Sequence, residues 1–442
     1  MPDPTPDPDT PAATPIWSKG RAADAWMLRF TVGDDYLWDR HLARADARAT
    51  RAHAAALVRA GILTDAERAD TDAALDAFDA AVEAGEVTVE ASDEDVHTVL
   101  ERWLTERLGA TGKKIHTGRS RNDQVVAALR LWLRDRLAAL DADTRALARA
   151  LCDHADAHAD VLMPGYTHTQ RAMPSSVGLW AAAYASLLVD DLTTLASAAA
   201  LVDRSALGSA AGYGVPSLGL DREAVARDLG HASAQSPVTA VQLSRGKTEA
   251  AVAHACVQIG ATLNRMASDL VLFASAEFGF VRLPERLTTG SSIMPQKRNP
   301  DVLELARAHY HRLTAELHLL LTLPANLTSG YHRDLQLTKE AVMRCVLGCA
   351  DVVEAISAVV PEMTWDAGRM RAALSPDLFA TGRALDFVAA GQPFRDAYRC
   401  AADEAFAGQT PVPDLSALRA AYAGPGTLGD TGTAALRAAL GG

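Results

Sequence analysis

The stretch that decides the fold class is Val126-Ala-Ala-Leu-Arg-Leu-Trp-Leu-Arg-Asp-Arg-Leu-Ala-Ala-Leu140. Its large apolar residues return every three or four positions, which is typical of one face of an α-helix and differs from the alternation of a strand. The spacing continues beyond Leu151 until Pro164-Gly165, a pair that ends helices. We therefore expect a single long helix here.

Four more segments have this long helical character. They are 177–204, the proline-free segment after Ser236-Pro237, 302–323 and 335–360. Ser236 is interpreted as a helix cap followed by a first-turn proline, and no proline follows until Pro284. A helix of about 40 residues would be about 60 Å long, and one ordinary domain cannot bury its apolar surface. Such helices usually pack into a bundle, often shared between subunits.

Shorter amphipathic helices are expected on both sides of these segments. Ser92-Asp-Glu-Asp95 has the acidic, capping character of a helix start, and the chain after Pro361 is broken repeatedly by proline and glycine. The predicted fold class is therefore all-α, in three parts. These parts are an N-terminal helical domain at 16–112, a central long-helix bundle domain at 113–361 and a small helical domain at 362–442. Residues 1–15 alternate Pro, Asp and Thr and are predicted to be a disordered tail.

Composition restricts the classes of function. Among 442 residues, 49% are apolar and the formal net charge is −12, which argues against a general nucleic-acid binder. No apolar run is judged long enough to span a membrane, and the N-terminus has no apolar signal core. The cysteines complete no zinc set, so all five are predicted to be reduced core residues of a cytosolic protein. They are Cys152, Cys256, Cys345, Cys349 and Cys400.

A polar loop follows the apolar run Val271 to Phe280, which is expected to be helical. The loop is Thr289-Gly-Ser-Ser-Ile-Met-Pro-Gln-Lys-Arg-Asn-Pro-Asp301. Glycine and serine give it mobility, while two prolines limit that mobility. Its hydroxyls can act as a nucleophile, a base or an anion ligand, and its two cations can hold carboxylates or phosphates. Mobile polar loops between rigid elements often carry chemistry, although an ordinary surface turn fits this segment equally well.

Other polar clusters also lie at predicted helix ends. The segment 112–124 crowds lysines, arginines and a histidine before the first long helix, where free N–H groups favour a bound carboxylate. In 164–171, His168 stands between hydroxyl side chains and suits acid–base work, although a structural histidine is as frequent. In 331–339, an amide and an ammonium three positions apart can face one ligand.

The combined inventory indicates a class of reaction. No metal-ligand spacing, dinucleotide-binding glycine turn or convincing Ser-His-Asp order is present in the sequence. Ser, His, Lys, Arg and Asn remain, without a cofactor motif. This set suits proton abstraction next to a carboxylate, because cations can stabilise the resulting aci-carboxylate dianion.

Over most of its length the chain resembles the argininosuccinate lyases of the fumarase/aspartase superfamily. The motifs that carry the resemblance are Glu94-Asp-Val-His97, His116-Thr-Gly-Arg-Ser-Arg-Asn-Asp-Gln124, Gly165-Tyr-Thr-His168, Gly290-Ser-Ser-Ile-Met-Pro-Gln-Lys297, Asn299-Pro-Asp301, Asp334-Leu-Gln336 and Lys339-Glu340. The segment 117–124 is close to diagnostic of this branch, whereas the serine loop is shared across the superfamily.

The resemblance implies an all-helical subunit whose long central helices form one bundle in a homotetramer. It implies active sites assembled from three subunits in a cytoplasmic enzyme, with neither nucleic acid nor membrane as a partner. The implied reaction is the reversible cleavage of argininosuccinate into arginine and fumarate, as in arginine biosynthesis, with no cofactor and no metal.

The resemblance also implies roles for individual residues. Ser291 and His168 would be the acid–base pair, with Ser291 near Lys297 favoured as the base and the opposite assignment left open. His168 would be paired with Glu304. The substrate-binding residues would be Lys297 and Asn299 for the carboxylate that becomes the dianion, Arg121, Asn122 and Thr167 for the fumarate half, and Tyr331, Gln336 and Lys339 for the arginine half, with Asp95 nearby.

Some positions depart from the family pattern. Trp17-Ser-Lys-Gly-Arg21 replaces the usual opening, and Phe30-Thr-Val-Gly-Asp-Asp35 lacks the substrate-binding serine. Thr31 or a backbone N–H would have to take its place. Ser244-Arg-Gly246 replaces Ser-Arg-Asp, and the C-terminal domain is short.

Three alternative functions compete with this interpretation. Adenylosuccinate lyase runs the same elimination on a nucleotide, but the match at 117–124 argues against it. Fumarase and aspartase share the serine loop but give no reason for the cluster at 331–339. A catalytically inactive helical scaffold, as in some lens crystallins, is disfavoured because Ser291, His168 and Lys297 are intact.

Overall fold

The computed structural model describes residues 24–441, apart from the side chains of residues 25 and 28. The tail predicted for 1–15 and the departure at 17–21 lie outside this range. The chain forms two units, each made of three separate segments. The first contains residues up to 138, 197–254 and 316–346, and the second contains 139–196, 255–315 and the chain from 347 onward. The domain boundaries near 112 and 361 stay predictions.

Short helices occupy the start of the described chain. They are α1 (Ala25–Val32), α2 (Asp35–Asp39), α3 (Ala43–Arg59), α4 (Asp65–Glu83), α5 (Val96–Leu108) and α6 (Ala110–Lys114). A capping box between Thr64 and Glu67 begins α4, and Asp95 caps α5 as its acidic sequence predicts. Helices α3, α4 and α5 pack on one another around buried residues such as Leu57 and Phe78.

The long helices follow the predicted apolar periodicity closely. They are α7 (Arg121–Ala157) and α8 (Val177–Val202), followed after the short α9 (Arg222–Asp228) and α10 (Ala240–Leu243) by α11 (Lys247–Phe273), α12 (Asp301–Thr322) and α13 (Leu337–Val359). The apolar residues that predict α7 are almost fully buried, since Leu129, Leu133 and Leu137 are at most 2% exposed. With 37 residues, α7 is about 55 Å long.

The remaining helices are short, as the breakers in their sequence predict. They are α14 (Ala367–Ala372), α15 (Ala380–Ala389), α16 (Phe394–Phe406), α17 (Leu415–Ala421) and α18 (Thr433–Ala439). Helix α15 packs against α16. The fold class predicted from the sequence, all-α, is confirmed.

The single helix of about 40 residues expected after Ser236-Pro237 is wrong. The chain forms α10, breaks at 244–246 and continues as α11, which ends at Phe273 rather than at Phe280. Gly246 has a φ of +79°, which is outside the helical region, so the helix does not continue through it. A Cβ there would lie 2.8 Å from Pro324 Cγ, so the position also needs a residue without a side chain. Gly279, with a φ of +57°, belongs to the turn after α11. Ser236 does not cap a helix, because α10 begins at Ala240.

A β-hairpin was not predicted. Strand β1 (Leu162–Thr167) pairs antiparallel with β2 (Gln170–Ser176) between α7 and α8. The sequence predicts that the first long helix continues until Pro164-Gly165, but α7 ends at Ala157 and both residues lie within β1. They hid the strand, since proline and glycine are unfavourable in strands. Two-residue strands form small pairs elsewhere: β3 (Arg204–Ser205) with β4 (Ser233–Ala234), and β5 (Val281–Arg282) with β6 (Thr364–Trp365).

Two expectations from composition need correction. Helix α8 is long and apolar enough to cross a membrane by length and composition, with a mean hydropathy of 1.5, so the prediction that no run reaches that length is wrong. One such helix is weak evidence for a membrane span, because the core helix of a soluble protein can have the same length and composition. Four cysteines are buried, but Cys400 is exposed because it lies on the outer face of α16.

Candidate active site

A polar cavity in the first unit collects six of the predicted site residues. Segments separated by more than 200 positions supply them, since they come from the start of α5, the start of α7, the segment before α13 and the first turn of α13. The six are Asp95, Arg121, Asn122, Tyr331, Gln336 and Lys339. The prediction that Gln336 and Lys339 can face one ligand agrees with this arrangement, because both side chains line the same cavity.

Asp95 holds Arg121 in the wall of the cavity. Its carboxylate accepts hydrogen bonds from the Thr98 backbone N–H at 2.7 Å and from the Thr98 hydroxyl at 2.9 Å. It also pairs with Arg121 Nη1 at 3.0 Å. Burial alone would raise the pKa of Asp95, but the positive charges of His97 and Arg121 and the bonds to Thr98 outweigh it and lower this pKa. Arg121 is therefore held in place by a carboxylate that stays ionised.

Lys339 is buried between two carboxylates. Its Nζ lies 2.8 Å from Asp35 Oδ2 and also contacts Asp39 Oδ1. Burial disfavours the ammonium, but the two negative charges outweigh burial and raise the pKa of Lys339. Burial is also the main cause of the raised pKa of Asp35, which the Lys339 charge opposes. Lys339, Asp35 and Asp39 form a buried ionic cluster in which the ammonium and the two carboxyl groups compensate each other's burial.

The missing serine near Phe30 is not replaced by the Thr31 hydroxyl in this conformation. That hydroxyl donates to the Met27 carbonyl at 2.8 Å within α1. The Thr31 carbonyl instead accepts hydrogen bonds from Gln336 Nε2 and from Arg333 Nη2, both at 3.0 Å. The segment 30–35 therefore contributes to the cavity through Val32 and Asp35, which line it.

The sequence interpretation missed several lining residues. They are Asp35, Asp39, Arg245 and Arg333. A signal existed for the first two, because they stand four positions apart and share one helical face. Nothing in the sequence connects them with Lys339, which lies 300 or more positions away.

His97 also lines the cavity and is buried with its partner. Its Nδ1 lies 2.9 Å from Asp46 Oδ2, and the two side chains are at most 2% exposed. Burial disfavours the charged ring, but the Asp46 carboxylate outweighs it and raises the pKa of His97. The positively charged ring in turn helps to keep Asp95 ionised.

The other six predicted residues belong to the second unit. The serine loop is closed at its base by paired backbone bonds between Thr289 and Asn299, and the Asn299 amide also donates to the Thr289 hydroxyl at 3.3 Å. Ser291 Oγ accepts hydrogen bonds from the backbone N–H groups of Met294 at 3.2 Å and Ile293 at 3.4 Å. Lys297 is exposed on the loop.

The hairpin presents the candidate histidine at its tip. His168 and Thr169 form a two-residue turn in which both φ angles are positive, 53° and 58°. Such turns match the twist of a hairpin, although they are unfavourable for a β-branched residue. Thr167 and His168 are exposed. The turn therefore leaves His168 exposed at the tip of the hairpin.

Glu304 lies in the first turn of α12 and is exposed. Within the described range 24–441, no hydrogen bond or ion pair joins His168 to Glu304, Ser291 or Lys297. The single chain therefore places these residues on three separate surface features of the second unit: the loop, the hairpin tip and the start of α12. Groups of His, Cys, Asp and Glu arranged to hold a metal ion are also absent among residues 24–441.

Comparison with known proteins identifies the family. The family described as lyase matches residues 19–314. An argininosuccinate lyase from Sorangium cellulosum is 47% identical over 419 residues, covering 93% of this chain and 96% of the relative. An argininosuccinate lyase from Thermotoga neapolitana is 40% identical over 389 residues, covering 88% of this chain and 98% of the relative.

Solved structures share the fold at low sequence identity. A crystal structure of EDDS lyase in complex with formate has a TM-score of 0.75 and 22% identity, covering 95% of this chain and 89% of that chain. A class II fumarase from Schistosoma mansoni has a TM-score of 0.70 and 16% identity, covering 81% of this chain and 86% of that chain. These two likenesses concern the fold alone. On the sequence relatives and the matched family, the chain belongs to the argininosuccinate lyase family.

Proposed function

We propose that this chain catalyses the reversible elimination of argininosuccinate to L-arginine and fumarate. The observation that carries the proposal is the cavity of the first unit, in a chain 47% identical to an argininosuccinate lyase. It gathers Arg121, Asn122, Tyr331, Gln336 and Lys339 from distant segments. Its mixture of anchored cations, amides and a phenol suits a substrate that carries three carboxylates, an ammonium and a guanidinium.

The reaction requires two proton transfers. A base removes a proton from the Cβ of the succinyl part, the carbon–nitrogen bond breaks, and its electron pair stays on the guanidine nitrogen, which an acid protonates. We assign the removal of the Cβ proton to Ser291. Two backbone N–H groups already point at its Oγ, and such donors stabilise an alkoxide. Lys297 on the same loop would add positive charge.

His168 would protonate the leaving guanidine nitrogen, oriented by Glu304. The exposed hairpin tip leaves its imidazole free to meet a substrate. Lys297 and Asn299 would hold the carboxylate that becomes the dianion, and Thr167 would contact the fumarate half. The reverse assignment, with His168 as the base, predicts the same residues in contact with substrate.

We further propose that the working enzyme is a cytoplasmic homotetramer whose sites combine residues from several subunits, without a cofactor. Large apolar side chains on the long helices support the assembly. Leu187 and Leu201 on α8 are each 41% exposed, while Leu305 and Leu321 on α12 are 62% and 60% exposed. A monomer would leave these stripes in water, and a bundle between copies would bury them.

An assay of the purified enzyme tests the proposal. With argininosuccinate it should release equal amounts of fumarate, followed by ultraviolet absorbance, and arginine, measured by chromatography. Adenylosuccinate and malate serve as parallel substrates, since related lyases act on them. Cleavage of adenylosuccinate alone, or no cleavage of argininosuccinate, would overturn the proposed function.

A further inference from the structure

Arg245 is a buried cation in the cavity wall that the proposed mechanism does not use. It is 3% exposed and lies in the break between α10 and α11. One terminal nitrogen, Nη2, donates to the Leu335 carbonyl at 3.0 Å. The other two, Nε and Nη1, are buried and have no hydrogen-bond partner. An arginine with two unused donors is costly unless something else completes its bonds.

The other cations of the cavity already have carboxylate partners. Arg121 pairs with Asp95, Lys339 with Asp35 and Asp39, and Arg333 with Glu94 at 3.8 Å. Within the described part of the chain, Arg245 forms no ion pair of this kind. The cavity is therefore a set of neutralised cations plus one guanidinium that is available to an incoming anion.

The surroundings of Arg245 locate the anion within the cavity. Its guanidinium carbon lies 5.6 Å from the centre of the Tyr331 ring, and its Nη2 holds the backbone just before α13. Tyr331, Gln336 and Lys339 are the residues proposed to recognise the arginine half of the substrate. A group bound by Arg245 would therefore belong to that half. The anion in that half is its α-carboxylate.

We propose that Arg245 binds the α-carboxylate of the arginine half through a guanidinium nitrogen that has no partner in the protein. A hydrogen bond from a guanidinium to a carboxylate is charge-assisted and is roughly twice as strong as one between neutral groups. Binding would supply a partner for one of the two buried nitrogens that lack one. The inference rests on the proposed function, because it assumes that arginine is a product.

A pair of ligands tests the assignment without any mutation. Arginine and agmatine differ by the α-carboxylate alone. Titration calorimetry of the wild-type enzyme should give arginine an affinity about 10- to 100-fold above that of agmatine. Equal affinities would overturn the role of Arg245, and they would leave the proposed function intact if argininosuccinate is still cleaved. No binding of arginine together with no cleavage would overturn both.

Variants then attribute the preference to Arg245. Arg245→Gln should bind arginine and agmatine equally, while Arg245→Lys should keep part of the preference because it retains the charge. For cleavage, Arg245→Lys should raise KM at least about tenfold and change kcat much less. Agmatine binding by each variant serves as a control, because it shows that the cavity is still folded. A fall in kcat at constant KM, with the arginine preference retained, would assign Arg245 a purely structural role.

A matched control is available in the same unit. Arg130 is also 3% exposed and also donates to a backbone carbonyl, that of Arg204, at 2.8 Å. Arg130→Lys therefore imposes the same chemical change on a buried arginine that is not among the residues of the cavity wall. It should leave the ratio of arginine to agmatine affinity unchanged. A loss of the ratio in this control as well would contradict the assignment.

Discussion

Asp191 is a buried carboxylate on α8 whose described partner is a neutral hydroxyl group. It is 8% exposed and accepts one hydrogen bond, from the Thr262 hydroxyl at 2.7 Å. Burial is the main cause that raises the pKa of Asp191 from 3.8 to about 6, and the neighbouring Asp190 adds to it. Lys339, by contrast, is buried with two carboxylates. Burial is tolerated where an opposite charge is supplied and is costly where a hydroxyl alone is present.

We predict that Asp191→Asn stabilises the protein at neutral pH. The raised pKa means that the folded state binds the proton more tightly, so stability falls as pH rises from about 4 through about 6. The substitution removes that loss. The free energy of unfolding should rise by about 1–2 kcal/mol at neutral pH and by less near pH 4. Thermal unfolding at fixed protein concentration measures the difference.

The control for Asp191→Asn is its exposed neighbour. Asp190→Asn changes the same charge on the same helix turn, where water already solvates the carboxylate. Its effect should stay within about 0.5 kcal/mol at either pH. A pH-independent gain for Asp191→Asn would show that the buried charge is not the cause.

At the scale of elements, the packing of α8 fixes the base of the hairpin that carries His168. The Val177 N–H donates to the Val161 carbonyl at 2.9 Å, and the Gly178 N–H donates to the His158 carbonyl at 3.2 Å. Gly178 lies against backbone, because a Cβ there would stand 2.7 Å from both the Ala155 oxygen and the Ala159 Cα. The close approach of the two helix ends needs a residue without a side chain.

Gly178→Ala should therefore destabilise the protein, although alanine favours helices in general. We expect a loss of about 1–3 kcal/mol, since backbone atoms cannot move aside as side chains do. Gly382→Ala is the matched control, because it lies in α15 with no atom within 4 Å of a new Cβ. That control should be neutral or stabilising by up to about 1 kcal/mol. Equal effects of the two substitutions in thermal unfolding would contradict the packing argument.

Helices and hairpin differ in how far the sequence predicts them. The apolar spacing around Leu129 and Leu133 is local information, and α7 follows it for ten turns. The hairpin depends on pairing between strands that contain Pro164 and Gly165, which local propensity disfavours. At the break, a Cβ on residue 246 would lie 2.8 Å from Pro324 Cγ, so the need for glycine there comes from a residue distant in sequence.

The candidate site was predictable as a set of residues rather than as an arrangement. Motifs identify Arg121, Gln336 and Lys339, and the cavity contains all three. Their electrostatic partners were not predictable, because Asp35 and Asp39 reach Lys339 across 300 or more positions through the tertiary fold. Arg245 belongs to a segment that departs from the family pattern, but the sequence alone predicts no role for it. Its proposed role rests on two buried nitrogens without hydrogen-bond partners, and these can be recognised only in the folded structure.

At the scale of the whole molecule, the proposed chemistry is divided between the two units. The first unit contains the cavity with Gln336, and the second contains Ser291, His168 and the loop between Thr289 and Asn299. The proposed tetramer would combine these groups from different copies of the chain. Single substitutions in either group should then abolish activity for different and complementary reasons.

Complementation between inactive variants tests this central claim most directly. Ser291→Ala and Gln336→Ala should each lose nearly all fumarate release from argininosuccinate, by about 10² to 10⁴ in rate. Mixed tetramers of the two, isolated by two affinity tags, should regain about one quarter of wild-type activity, because that fraction of sites receives both intact residues. Mixed tetramers of Ser291→Ala with Ser291→Gly should stay inactive. No recovery in the first mixture, or full activity in a wild-type monomer, would contradict the account.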